Sequence, residues 1–325
     1  MQKKIPLLRP VVLGGVLLAT VAGPAVAGPT IDGYSVQAVS DPTGTNFINL
    51  LGINDSGTIG GFDNANTAQG FTLNLPNHFT SQNFPGSTAS MVTAINNNGS
   101  TAGIFTDPAG NTHGYTDIAG VFRTVDNPAS PVFNQALGIN DANTTVGYYA
   151  PTQAGTFGQI AYSQSHGTFT NVNALLPANQ NSQAVGINDA GSIVGFFQPT
   201  LLTAIGFLDQ AGKVTEIDPF DSQFTQALGI NNRGEVVGFY TDADDVQHGY
   251  IDDDGVFSTF DPAGSVSTTI NGVNNLGQIV GFFTDANDDT LGFVATPVPE
   301  PPAPIAVALL GLMLVRLRRR PACTV

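Results

Sequence analysis

The chain has little cysteine. Its one thiol, Cys323, lies among the last three of 325 residues. The body therefore has no disulfide and no thiolate metal site, and it is held by its core alone, which a domain of this size can build. Basic residues are almost as scarce. Ten Lys and Arg stand against 25 Asp and Glu, for a net charge of −15. Seven of the ten sit at the two ends: Lys3, Lys4, Arg9, Arg316, Arg318, Arg319 and Arg320. Only Arg123, Lys213 and Arg233 lie between them. Such a body repels phosphate backbones, so nucleic acid is excluded as a partner. Its carboxylates read first as solubilising surface charge that attracts divalent cations only diffusely. The sequence has no G-x-S-x-G, no H-E-x-x-H and no phosphate loop. Nor does its body show a helical period. Gly, Asn, Thr and Ser are plentiful, which suits an all-β chain with many turns.

The two ends read as addresses. Residues 1–27 open with two lysines, continue with an apolar stretch over 11–22 and end on Ala25-Val26-Ala27. This is a secretory signal peptide, with Ala25 and Ala27 as the small residues before the cleavage point. The C-terminal end, 298–325, runs from a Pro-rich linker into an apolar run over 305–315 and then into arginines. A settled membrane span needs about 20 residues, so this run is expected to be a transient stop in the inner membrane, its basic residues held on the cytoplasmic side. The alternative is a one-pass anchor.

Together, Val298-Pro299-Glu300-Pro301, the short apolar helix and the basic stop Arg316, Arg318, Arg319, Arg320 resemble the PEP-CTERM sorting signal. The resemblance covers about the last 30 residues. It implies a Gram-negative bacterium that makes extracellular polysaccharide, with signal peptidase and exosortase as processing partners. The implied fate is cleavage near Pro299-Glu300-Pro301 and transfer to the cell surface or biofilm matrix.

Between the ends, residues 28–297 write one phrase six times. "GINDAGSIVGFF" at Gly186 has counterparts at Gly52, Ala94, Gly138, Gly229 and Gly272. The recurring asparagines are Asn54, Asn96, Asn140, Asn188, Asn231 and Asn274, at intervals of 42, 44, 48, 43 and 43. A fixed period of this size marks an array. The fifth unit divides into four short β segments, over 214–217, 225–230, 235–240 and 248–252, each bounded by Gly, Asn, Asp or Pro. Four strands in about 43 residues match a propeller blade. The expected fold is thus a six-bladed β-propeller, with units of roughly 33–77, 78–120, 121–167, 168–212, 213–255 and 256–296. A β-solenoid is the alternative. The stretch 34–40 has the character of a unit's first strand, and could complete the last blade and hide the ring's edges.

The body resembles the extracellular HAF-repeat proteins, whose hairpin G-I-N-x-x-G-x-x-V-G precedes an H-A-F triplet. Here the triplet is "QGF" at Gln69, "HGY" at His113 and His248, "IGF" at Ile205, "LGF" at Leu291 and, most distantly, "QIAY" at Gln159. The resemblance covers 33–296 and implies export and repetition, not a reaction.

The recurring Asn, with its following Asp or Asn and Gly, is turn chemistry. In the third unit Asn143 replaces the Gly, which keeps a residue that tolerates positive φ. The rival role is a ring of six Asn binding sugar in a central channel. The Gly within Val-Gly-Phe suggests close approach of a neighbouring sheet. Acidic stretches at Thr106, Thr241 and Thr284 read as hairpin tips. In the last of them Asp285, Asn287 and Asp289 have a spacing that suits a hard cation, which makes calcium the one candidate ion. No other cofactor is implied. His113 and His248 recur at one strand position, as half-buried strand ends do. The largest departures from the repeat are insertions in units three and four. The leading functional expectation is a non-enzymatic surface scaffold or adhesion module that binds glycan or protein. The alternative is a secreted enzyme acting on matrix polysaccharide or lactones, which would need acidic or His side chains gathered at the channel mouth.

Overall fold

The computed structural model describes residues 30–298, apart from 32, 41–46, 64–66, 178–179, 201 and 223. The signal peptide, Pro299, Glu300, Pro301, the apolar run and the arginine stop lie outside the described residues. Val298 is within them. It is partly exposed, and its N–H donates to the Gly33 carbonyl at 2.7 Å. No helix among the described residues is long and apolar enough to cross a membrane.

The described chain is all-β. Its helical pieces are two 3-10 turns, Val172–Leu175 and Pro219–Asp221. The strands form antiparallel meanders of four, the last extended by a two-residue fifth strand, Thr30–Ile31. The first strand of each carries the apolar residue before the recurring Asn: Ile48–Ile53, Ala89–Ile95, Asn134–Ile139, Asn181–Ile187, Phe224–Ile230 and Ser265–Val273. These open sheets 1 to 6. The second strands are Thr58–Asp63, Thr101–Thr106, Thr145–Tyr149, Ile193–Thr200, Val236–Thr241 and Ile279–Asp285. The third are Gln69–Asn74, Thr112–Ile118, Ile160–Ser165, Thr203–Gln210, Gln247–Asp253 and Thr290–Pro297. Sheets 1 to 5 end with His78–Ser81, Val121–Val125, Thr168–Asn171, Lys213–Ile217 and Val256–Phe260. Sheet 6 takes its fourth strand from the other end of the chain. There Tyr34–Val39 pairs with Thr290–Pro297, from Tyr34 opposite Pro297 to Val39 opposite Gly292.

The first strand of each sheet touches the first strand of the next, and that of sheet 6 touches that of sheet 1. The arrangement is propeller-like and leaves no open end of the kind a solenoid has. Apolar side chains fill the gaps between sheets. Val280 and Val294 meet Ile59 and Leu73, and Val237 meets Ile279 and Ala295. The aromatic that ends each HAF-like triplet is buried: Phe71, Tyr115, Tyr162, Phe207, Tyr250 and Phe293.

The glycine of Val-Gly-Phe does not mark approach of a neighbouring sheet. A Cβ at Gly238 or Gly147 would collide with the carbonyl of Gln226 or Gln135, which belongs to the first strand of the same sheet. The cause is a bulge. All six first strands shift register at one place, as between Ala227 and Gly229 or Ala136 and Gly138. A bulge bends its strand and sharpens the local twist, and the bent carbonyl leans over its partner. Close approach between sheets falls elsewhere, on the glycine two residues before the Asn. A Cβ on Gly229 would lie 3.1 Å from the Gly272 Cα, and one on Gly272 3.2 Å from the Gly52 Cα.

Candidate functional site

The bulge residues Leu51, Thr93, Leu137, Val185, Leu228 and Asn271 line a cavity of about 160 Å³ on the axis of the ring. Its two polar members tie one sheet to the next. Thr93 Oγ1 donates to the Ala136 carbonyl at 2.7 Å, and Asn271 Nδ2 to the Leu50 carbonyl at 2.8 Å.

At one end of this cavity lie the recurring asparagines, all buried. Each side chain is engaged at both ends of its amide. Oδ1 accepts the backbone N–H four residues on, at 2.9–3.1 Å, and closes its own turn. Nδ2 donates to the main-chain carbonyl of the equivalent Asn in the next sheet. These bonds run from Asn54 to Asn96, Asn140, Asn188, Asn231 and Asn274, and back to Asn54, at 2.8–3.1 Å. The left-handed turn residues are Gly57, Gly99, Gly191, Gly234 and Gly277, with Asn143 at φ 58° in sheet 3.

The residue after each Asn forms a second ring. The side chain of Asn97 accepts the N–H of Asp55, and the pattern continues through Asp141, Asp189, Asn232 and Asn275 to Asp55 at 2.7–2.8 Å. The second oxygen of Asp55 accepts from Asn275 Nδ2 at 2.8 Å, and that of Asp141 from Asn97 Nδ2 at 3.2 Å. Asn232 Nδ2 donates to Asp189 in the same way. The carboxylates at the channel mouth are thus engaged in joining sheets. An enzyme would need such groups available there for proton transfer.

The acidic tips are built alike. Asp107, Asp242 and Asp285 each accept two backbone N–H groups of their own hairpin through Oδ1. In the calcium candidate, Asp285 accepts from the N–H groups of Asn287 and Asp289, and its Oδ2 accepts from Asn287 Nδ2 at 3.1 Å. These bonds hold the Asp285 carboxyl below its ordinary pKa. Among the described residues no group of three His, Cys, Asp or Glu is placed to hold a metal.

Two histidines sit in matching clamps. His113 Nδ1 bonds Asp126 Oδ2 at 2.8 Å and its Nε2 bonds Asp107 Oδ2 at 3.3 Å. His248 repeats this with Asp261 at 2.7 Å and Asp242 at 3.2 Å. Burial lowers the His248 pKa, but the two carboxylates together outweigh it and raise the imidazole above its ordinary value. Backbone and side-chain bonds from Asn111, helped by His113, hold Asp107 at about 2. The clamps fasten a hairpin tip to the strand end behind it. His78 and His166 are exposed and stand outside them.

A gap between two of the sheets is open. Between sheets 1 and 2 runs a groove of about 610 Å³, within the range of small-ligand pockets. Its walls are hydroxyl and amide groups, among them Thr72, Thr80, Gln82 and Asn83, with Asp117 and the ring of Phe122. Gln82 Nε2 donates to Thr101 Oγ1 at 2.7 Å and to Asp117 Oδ2 at 3.0 Å. The other oxygen of Asp117 is buried without a partner. This groove was not foreseen from the sequence.

No family model and no curated protein matches the chain. Solved structures do. The SapL1 lectin, in complex with alpha methyl fucoside, aligns with TM-score 0.50 and 10% identity over 79% of this chain and 98% of its own. AofleA from Arthrobotrys oligospora aligns at 0.48 and 10% over 80% and 86% of the two chains. TolB from Acinetobacter baumannii aligns at 0.49 and 8% over 77% and 63%. The likeness to SapL1 is one of fold, and agrees with the all-β, propeller-like expectation.

Proposed function

We propose that this chain is a six-bladed propeller of the HAF-repeat kind that serves as a non-catalytic binding module for glycan or protein. It is exported through its N-terminal signal peptide. It is then sorted by exosortase through the PEP-CTERM signal and displayed at the cell surface or in the matrix. The observation that carries the binding reading is the groove between sheets 1 and 2. The polar side chains that recur at the channel mouth are engaged in holding the ring, whereas this groove keeps polar walls and an open volume. The order of the C-terminal signal, with Val298-Pro299-Glu300-Pro301 first and Arg316 to Arg320 last, supports the sorting reading.

Intact mass and fractionation of the native protein test the route, with and without replacement of Pro299, Glu300 and Pro301. The expected species begins near residue 28, ends near residue 300 and lies outside the inner membrane. A chain that keeps Arg316 to Arg320 and stays in the inner membrane would contradict sorting. A panel of immobilised glycans and surface proteins, probed with the same material, tests the binding reading. Turnover of a matrix polysaccharide or lactone in place of stable binding would contradict it.

A further inference from the structure

The groove between sheets 1 and 2 has polar side chains on both walls. On each second strand one residue faces the next sheet. It is Ala102, Val146, Val194, Val237 and Val280 in sheets 2 to 6, but Gly60 in sheet 1. Opposite it on the third strand, sheets 4 to 6 carry Leu208, Ile251 and Val294, while sheets 1 to 3 carry Thr72, Thr116 and Ser163. On the facing wall sheet 2 pairs Thr101 with Asp117, and sheets 4 and 5 carry Asp209 and Asp252 at the same place, where sheet 1 pairs Ile59 with Leu73 and sheet 6 pairs Ile279 with Ala295. Between sheets 6 and 1 the corresponding side chains, Val280, Val294, Ile59 and Leu73, form one buried cluster. Between sheets 1 and 2 the place of Gly60 is filled by Val92 of sheet 2, which a Cβ there would meet at 2.7 Å, and the rest of the layer is Thr72, Thr101 and Asp117. Polar side chains enter this layer elsewhere too, as Thr145 with Gln164 in sheet 3 and Asp209 in sheet 4 do, and between sheets 1 and 2 Thr72 and Asp117 border an open volume of about 610 Å³.

We infer that this groove binds an uncharged sugar segment of a polysaccharide. The inference rests on the reading of the protein as a binding module. The chemistry of the walls selects the ligand. Carboxylate and amide groups pair with adjacent hydroxyls, and Asp117 has one buried oxygen that lacks a donor. Gln82 already braces the other oxygen, which fixes the carboxylate in place. The half-buried Phe122 ring supplies an apolar face for the C–H side of a pyranose. The charge selects further. Asp117 is the one charged side chain of the groove, and the chain carries a net charge of −15, so a uronate would be repelled where a neutral hexose is not.

The test is titration of the full chain with two probes, a neutral hexose oligosaccharide and an oligogalacturonate. Three variants accompany the wild type. Thr72→Leu fills the groove with the residue that sheet 4 already carries at that place, Asp117→Asn removes the charge at nearly constant shape, and Phe122→Ala removes the platform. The expected result is binding of the neutral probe alone, weakened about tenfold or more by each variant that melts as the wild type does. Neutral-probe binding that survives all three unchanged would place the site elsewhere and overturn the groove while leaving the binding-module reading intact. Preference for the uronate would overturn the ligand class. Absence of any glycan or protein bound by the wild type would overturn the binding-module reading itself.

Discussion

Asn188 performs two tasks with one amide. Its oxygen closes a turn that Asp would close as well, and its nitrogen joins sheet 4 to sheet 5 at 3.1 Å, which Asp cannot do. Asn188→Asp therefore separates the tasks. It leaves the turn acceptor in place but sets a buried carboxylate oxygen against the Asn231 carbonyl, which keeps only the Gly234 N–H of its own turn, so it is expected to destabilise the protein by about 2 kcal/mol or more in denaturant unfolding. An effect within a few tenths would show that the turn is the whole role. The turn was legible from Asn, Asp and Gly in order. The clasp was not, since its partner lies one unit away. One signal was present: the first of the two residues is Asn in all six copies, whereas the second is Asp in three and Asn in three. A turn alone does not require that difference. His248 gives a second prediction. Its folded pKa is raised, so the clamp contributes stability that is full below the unfolded value of about 6.5 and is lost as pH rises through the folded value. The gap in melting temperature between wild type and His248→Asn is expected to narrow over that interval. A gap independent of pH would remove the ionic part of the clamp.

At the scale of the strand and hairpin, the short β segments and the turn residues that bound them carried most of the structure. In the fifth unit the expected 235–240 and 248–252 became Val236–Thr241 and Gln247–Asp253. The bulge did not show, because a segment read on its own is blind to an extra residue that its partner strand does not match. That omission misplaced the reason for the glycine of Val-Gly-Phe. The crowding at Gly238 comes from the Gln226 carbonyl and the Tyr250 ring of its own sheet. Gly238→Ala is expected to cost about 1–3 kcal/mol through overpacking that neither backbone nor a buried ring can relieve. A melting temperature equal to the wild type would disprove that tight contact. The triplet position on the adjacent third strand behaves differently in sheet 3, where Ala161 is accommodated fully buried.

The whole molecule follows from repetition and from its failures. The period and the strand-like stretch at 34–40 pointed to a ring closed by the N-terminal segment, and Tyr34–Val39 does pair with the last sheet. The groove was harder to see. Its signal lies in side chains of the first two units, such as Thr72, Gln82 and Asp117, rather than in the loop insertions of units three and four. Only alignment of strand faces shows that Thr72 and Asp117 border one groove. The account thus assigns the recurring asparagines to holding the ring and the groove to binding. Thermal melting and neutral-glycan titration of Asn188→Asp and Thr72→Leu, made side by side, test this division most directly. The expected pattern is crossed: the first variant melts lower by several degrees and binds as the wild type while folded, and the second melts as the wild type and loses binding. Loss of affinity in folded Asn188→Asp, with affinity intact in Thr72→Leu, would contradict the account and return binding to the asparagine ring.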